Sequence, residues 1–181
     1  MPLSRIQSES MNLGDDFAFT GTITGAGGGK VLQVKSTTLT STFSRANQTF
    51  GDITGLSISI TPSSTSSKIL VFGTVNVSEA GDSALVRLAR DTTALAIGDA
   101  AGNRPRVSAL TGQGANSYYT YALTMSHLDS PSSTSALTYK WQIRSGSGSN
   151  TAYVNRTVQD RDTSHYEGRS ASNITVMEIE A

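Results

Sequence analysis

Apolar and polar residues alternate with a period of two along most of this chain. From Ile53 to Thr61, Leu56, Ile58 and Ile60 fall on one face with serines between them. Such alternation predicts a strand with one buried side. Ile69 to Val77 and Leu85 to Leu88 are richer in aliphatic residues, which predicts deeper burial. Val31 to Thr42, Ala94 to Ile97, Val107 to Leu110, Tyr118 to Met125, Ala136 to Ile143, Ala152 to Val154 and Ile174 to Ile179 follow suit, for about ten strands in all. The breaks carry turn chemistry, among them Ala80-Gly81-Asp82, Gly102-Asn103 and Gly146-Ser147-Gly148. Nothing repeats with helical spacing. Short strands with frequent turns predict an all-β antiparallel sandwich, and their number favours a jelly roll over an immunoglobulin-like arrangement.

The first thirty residues have a different character. In the stretch from Phe17 to Gly25, Phe17, Phe19 and Ile23 point one way while Ala18, Thr20, Thr22 and Thr24 point the other. A lone strand of that length does not stay folded in water. Three copies side by side would bring the apolar stripes together on a common axis, so the segment is predicted to be a trimer stalk. Gly25 to Gly29 form a joint after it. Before it, Leu3, Ile6, Met11 and Leu13 are sparse apolar points in a polar stretch, with a spacing that suits one helical turn or a clip docking onto another protein. The predicted organisation is an anchor, stalk and hinge over residues 1–30 and a head domain over residues 31–181.

Composition narrows the function. The chain has 181 residues, long enough for one ordinary core. Only 15% are charged, and Ser, Thr and Gly take up the difference, which favours strands and turns. Fourteen basic residues balance fourteen acidic ones without a basic cluster to follow a phosphate backbone, so no nucleic-acid partner is expected. Met1 to Ser10 is polar, no signal-like apolar core follows, and no run is long enough for membrane insertion. The absence of cysteine removes disulfides and thiolate metal sites.

Catalytic chemistry is thin. His127 and His165 are the only imidazoles; His127 follows a predicted strand as a rim or interface residue, and His165 lies in the polar stretch Asp160 to Gly168. Asp160, Asp162 and Glu167 lack the spacing of a calcium loop, and Arg161 opposes a cation among them. Gly25 to Lys30 fails as a phosphate loop because Val31 stands where Ser or Thr is needed. No catalytic residue, metal or cofactor is assigned, and no enzymatic activity is expected.

Binding fits better. Tyr119, Tyr121, Tyr139 and Trp141 are candidates for trimer or ligand contact, with core packing as the other use that such aromatic rings serve. Receptor candidates lie in loops, where sequence can vary while the sheets stay fixed: Asn103, Arg104, Arg106, Asn116, Asn150, Arg156 and His165.

Pro2-Leu-Ser-Arg-Ile-Gln, the Phe17 to Gly25 stalk, the run from Ile60 through Pro62-Ser-Ser-Thr-Ser66 to Val71, and Asp129-Ser-Pro-Ser-Ser-Thr-Ser135 together resemble small fibre proteins of tailed phages that infect aquatic bacteria. That resemblance implies a virion structural protein, assembled in the host cytoplasm, with a trimeric jelly-roll head similar to the tumour-necrosis-factor and C1q type. Its implied partners are two further copies of itself, other virion proteins at the N-terminus, and a glycan or protein of the host surface. A capsid-bound head fibre or decoration protein, and a carbohydrate-binding module unconnected with virions, are the alternatives.

Overall fold

The computed structural model describes residues 30–113 and 117–180. The anchor at Leu3, Ile6, Met11 and Leu13, the stalk at Phe17, Phe19 and Ile23, and Asn116 lie outside the described residues. Where the sequence alternates, strands form: β1 (Val31–Leu39), β2 (Phe43–Arg45), β3 (Gly51–Ile60), β4 (Lys68–Ser78), β5 (Ala84–Arg90), β6 (Thr93–Leu95), β7 (Ala109–Leu110), β8 (Tyr121–Asp129), β9 (Leu137–Ser145), β10 (Ala152–Val154) and β11 (Ser172–Ile179). All pairings are antiparallel, and the described residues contain no helix.

Two sheets face each other. In the first, β11 and β10 succeed one another along one side of β4, β8 takes the other side, and β1 and β2 lie beyond β11 and β10. The second runs β3-β9-β5, with β6 and β7 sharing the far side of β5. The long-range pairs are nested: β1 with β11, β3 with β9, β4 with β8, β5 with β6, alternately in the first sheet and the second. The pair β2 with β10 nests inside β1 with β11 in the same first sheet, and from there inward to the tip at β5 and β6 the pairs fall in alternate layers.

The predicted alternation becomes the core. Ile69, Val71, Val75 and Val77 of β4 and Ile174 and Val176 of β11 meet Ile58 and Ile60 of β3, Val86 and Leu88 of β5, and Tyr139, Trp141 and Ile143 of β9. In β3 the register slips between Asp52 and Ser57, and Gly55 at φ +83° occupies the bulge. The slip turns both Ile53 and Leu56 inward although they are three apart. β8 starts three residues later than its pattern predicts, leaving Tyr118 and Tyr119 in the preceding turn. His127, expected just past this strand, lies within it, half-buried opposite Val71.

Glu178 clamps the β3–β4 connection. Buried at the end of β11, it accepts hydrogen bonds from the Ser63 backbone N–H and hydroxyl, both at 2.7 Å, and from Gln33 Nε2 at 2.6 Å. Burial alone would raise its pKa, but these bonds, with Ser67, outweigh that and hold it at about 2. The folded value lies below the unfolded one, so this contribution is complete above about pH 4.5 and is lost as pH falls toward 2. Glu178→Gln is expected to cost about 1–3 kcal/mol at neutral pH and to flatten the acid limb of a melting-temperature profile; an unchanged acid limb would contradict this. The repeated word Pro131-Ser-Ser-Thr-Ser135 differs in its backbone, with Ser132 at φ +51°.

Candidate functional site

Tyr139 and Trp141 are not contact residues. They are 0% and 1% exposed, pointing from β9 into the space between the sheets, so of the uses expected of them they take core packing, and trimer or ligand contact is corrected for these two. The alternation of Leu137, Tyr139, Trp141 and Ile143 with polar residues along β9 marks that face as the buried one, and the facing sheet covers it. Tyr119 is 56% exposed, and Tyr121 is half-buried at the start of β8.

The loop candidates divide into separate groups. Arg156 stacks on Tyr153 at 4.3 Å and pairs with Asp160 at 3.4 Å. Asp160 also binds Arg169 at 2.9 Å, while Glu167 accepts from the Arg161 backbone N–H and Nε at 2.7 and 2.6 Å. Arginines therefore occupy two carboxylates of that polar stretch, Asp160 and Glu167. Arg161 in turn lies 4.8 Å over Tyr118, whose ring meets Tyr166 edge-on at 6.0 Å. A shallow hollow of about 240 Å³ between Tyr118, Tyr119, Tyr166 and Arg169 lies beside exposed His165. Asn150 is in the β9–β10 turn near Gly81, apart from this group.

Asn103 and Arg106 belong to a larger cleft of about 470 Å³. The connection between β6 and β7 brings them, with Ile97 and Pro105, against the outer face of the second sheet. There Arg87 of β5 and Arg144 of β9 stand on adjacent strands, on the face opposite the core residues Val86 and Ile143. Phe50, just before β3, supplies an aromatic surface, with the Arg87 guanidinium 4.3 Å from its ring centre. Arg104 lies outside the lining and donates weakly to Ala101 O at 3.4 Å. Among the described residues no group of three His, Cys, Asp or Glu side chains is placed to hold a metal ion.

The outer face of the first sheet has a different composition. Registers align Val34 of β1 with Met177 of β11, Met177 with Leu70 of β4, and Leu70 with Leu128 of β8, all facing away from the core. Val31 pairs with Ile179 in the next row toward the sheet's end, and Phe72 lies in the row on the other side. Val31, Val34 and Leu128 are each more than half exposed. Residues 1–29 join the head at this end, where Lys30 O accepts the Glu180 N–H at 2.8 Å.

A scan against protein-family models finds no match to the chain, and a search of curated proteins finds none either.

Reading by loops missed Arg87 and Arg144, because both are in strands. Only the pairing of β5 with β9 brings them together, and the alternation within each strand carries the weaker signal that a charged residue faces out. The apolar row was missed for a similar reason: each strand contributes one such residue, and one exposed aliphatic is unremarkable by itself.

Proposed function

We propose that this chain is a structural protein of a phage virion, a trimeric tail-associated fibre that attaches through its N-terminus and meets the host surface with its head. The resemblance in the anchor, stalk and loop words supports the virion context. The nested pairs β1–β11, β3–β9, β4–β8 and β5–β6, alternating between two layers, support a jelly roll for the head.

The observation that carries the trimer is the outward row Val34, Met177, Leu70 and Leu128, lying at the end of the head where residues 1–29 attach. A stalk joining three chains through Phe17, Phe19 and Ile23 would hold three heads by their first sheets and close these rows around a threefold axis. Closed cyclic symmetry buries an apolar surface on every copy and leaves none to recruit more. Obligate interfaces are more apolar than the rest of a protein surface, which suits this face and not the arginine-bearing face of the second sheet.

Leu128→Asp tests the arrangement. Leu128 is 55% exposed and on a strand with only β4 as neighbour, so the fold should tolerate the change. The expected result is a folded head whose trimer dissociates at micromolar concentration, measured by light scattering. A folded variant with an unchanged trimer would remove this row from the interface.

A further inference from the structure

We infer that the cleft formed by Arg87, Arg106, Arg144, Phe50 and Asn103 on the outer face of the second sheet binds an anionic sugar through its carboxylate or phosphate group. The inference rests on the reading of the head as the part that meets a host surface, and it names the chemistry that this surface would present.

Three cations converge on one concavity. None of the three forms an ion pair with a carboxylate among the described residues. The carboxylates that act on them at a distance are engaged elsewhere: Asp52, which attracts Arg87, is held by Lys140 at 2.7 Å and Gln142 at 2.6 Å, and Glu79, which attracts Arg144, accepts the Ser145 hydroxyl at 2.8 Å. Each guanidinium is instead fixed by a neutral acceptor: Arg87 Nε donates to Gln142 Oε1 at 2.7 Å, Arg106 Nε to Gly98 O at 2.7 Å, and Arg144 Nη1 to Gln48 O at 2.8 Å. Arg144 Nε is buried with no acceptor at all. Burial also lowers the Arg87 pKa, against the attraction of Asp52. These are the marks of cations gathered with no carboxylate in direct contact among the described residues. A concave surface focuses such a field, and the planar guanidinium fork matches a carboxylate or phosphate in two-point contact.

The remaining walls select a sugar over a bare anion. Ile97, Pro105 and Phe50 offer apolar surface for the C–H face of a pyranose ring, while Asn103 offers an amide to its hydroxyls. A volume of about 470 Å³ holds one or two sugar units. A nucleic acid is disfavoured, because the three arginines form a pocket and do not continue as a track along the surface.

Titration of the full chain with glucuronic acid, glucose 6-phosphate, glucose and inorganic phosphate, followed by the arginine Nε–H resonances in NMR, tests this. Glucuronic acid or glucose 6-phosphate should bind at least about tenfold more tightly than glucose and shift the signals of Arg87, Arg106 and Arg144. The stronger of the two identifies the carboxylate or the phosphate as the natural group. Arg106→Gln and Arg144→Gln should each weaken binding about tenfold, with an unchanged circular dichroism spectrum, and added salt should weaken it further. Glucose binding as well as the acids, inorganic phosphate binding as well as the sugar phosphate, or no response from these arginines would each overturn the inference. Light scattering on the same sample separates the two readings: a trimer that ignores anionic sugars contradicts the cleft alone, and a monomer that binds them contradicts the fibre.

Discussion

Asp129→Ala is expected to lower the unfolding free energy by roughly 3–5 kcal/mol. Asp129 ends β8, in the first sheet, yet its Oδ2 accepts hydrogen bonds from Arg90 Nη1 of β5 and from the Tyr139 hydroxyl of β9 at 2.6 Å, both in the second. One carboxylate therefore ties the edge strand of one layer to two strands of the other. Burial first, and then the Asp129 charge, hold the Tyr139 pKa far above the usual phenol range, so the hydroxyl remains a donor at every working pH. Alanine would leave a phenol with no exposed surface and a largely buried guanidinium without an acceptor, and that desolvation is what makes the loss large. Tyr139→Phe removes only one of the two bonds and should cost about 1 kcal/mol. Urea unfolding of both variants measures the difference; a cost for Asp129→Ala below that of Tyr139→Phe would refute the network.

Gly73→Ala should be comparably damaging, at roughly 3 kcal/mol or more. Gly73 is in the middle of β4, between Ile174 of β11 and Met125 of β8. A Cβ there would press into the carbonyl oxygen of Asn173 and stand 3.0 Å from Ile174 Cα. Both are backbone atoms of the paired strand, so no side-chain rotation relieves the clash, and β4 must part from β11 over the stretch that frames the core. Gly112→Ala is the control. A Cβ at that position meets nothing within 4 Å, and its backbone is not left-handed. It should change stability by no more than about 0.5 kcal/mol. Equal melting temperatures for the two alanine variants would show that the sheet yields at Gly73.

Much of the sandwich was legible because period-two alternation is a local property. Ile69 to Val77 and Ala152 to Val154 lie where the pattern put them, the latter to the residue. What failed was local mimicry and long-range partnership. Tyr118 and Tyr119 have strand-forming side chains but belong to a turn, and β2 is three half-exposed residues with no alternation to detect. Asn155 carries no local signal that sets it apart from other polar residues. It is fully buried at φ +62°, donating to Leu39 O and Ser41 O and accepting from the Ser172 hydroxyl, a clamp that exists only once three distant segments have met. The arginine cleft is the same kind of object. Asn103 and Arg106 could be picked out as polar loop residues, whereas Arg87 and Arg144 acquire a shared site only from the β5–β9 register. The carboxylates of the Asp160 to Gly168 stretch lack calcium-loop spacing, and in the fold Arg156 and Arg169 pair with Asp160 while Arg161 pairs with Glu167.

The central claim is that three chains assemble through the stalk and the outer face of the first sheet. The most direct test is the mass of the purified full-length protein in solution, by light scattering over a range of concentrations. The account predicts a stable value three times the 19.0 kDa of one chain. A single-chain mass at every concentration would contradict it and leave the row Val34, Met177, Leu70 and Leu128 without the partner proposed for it.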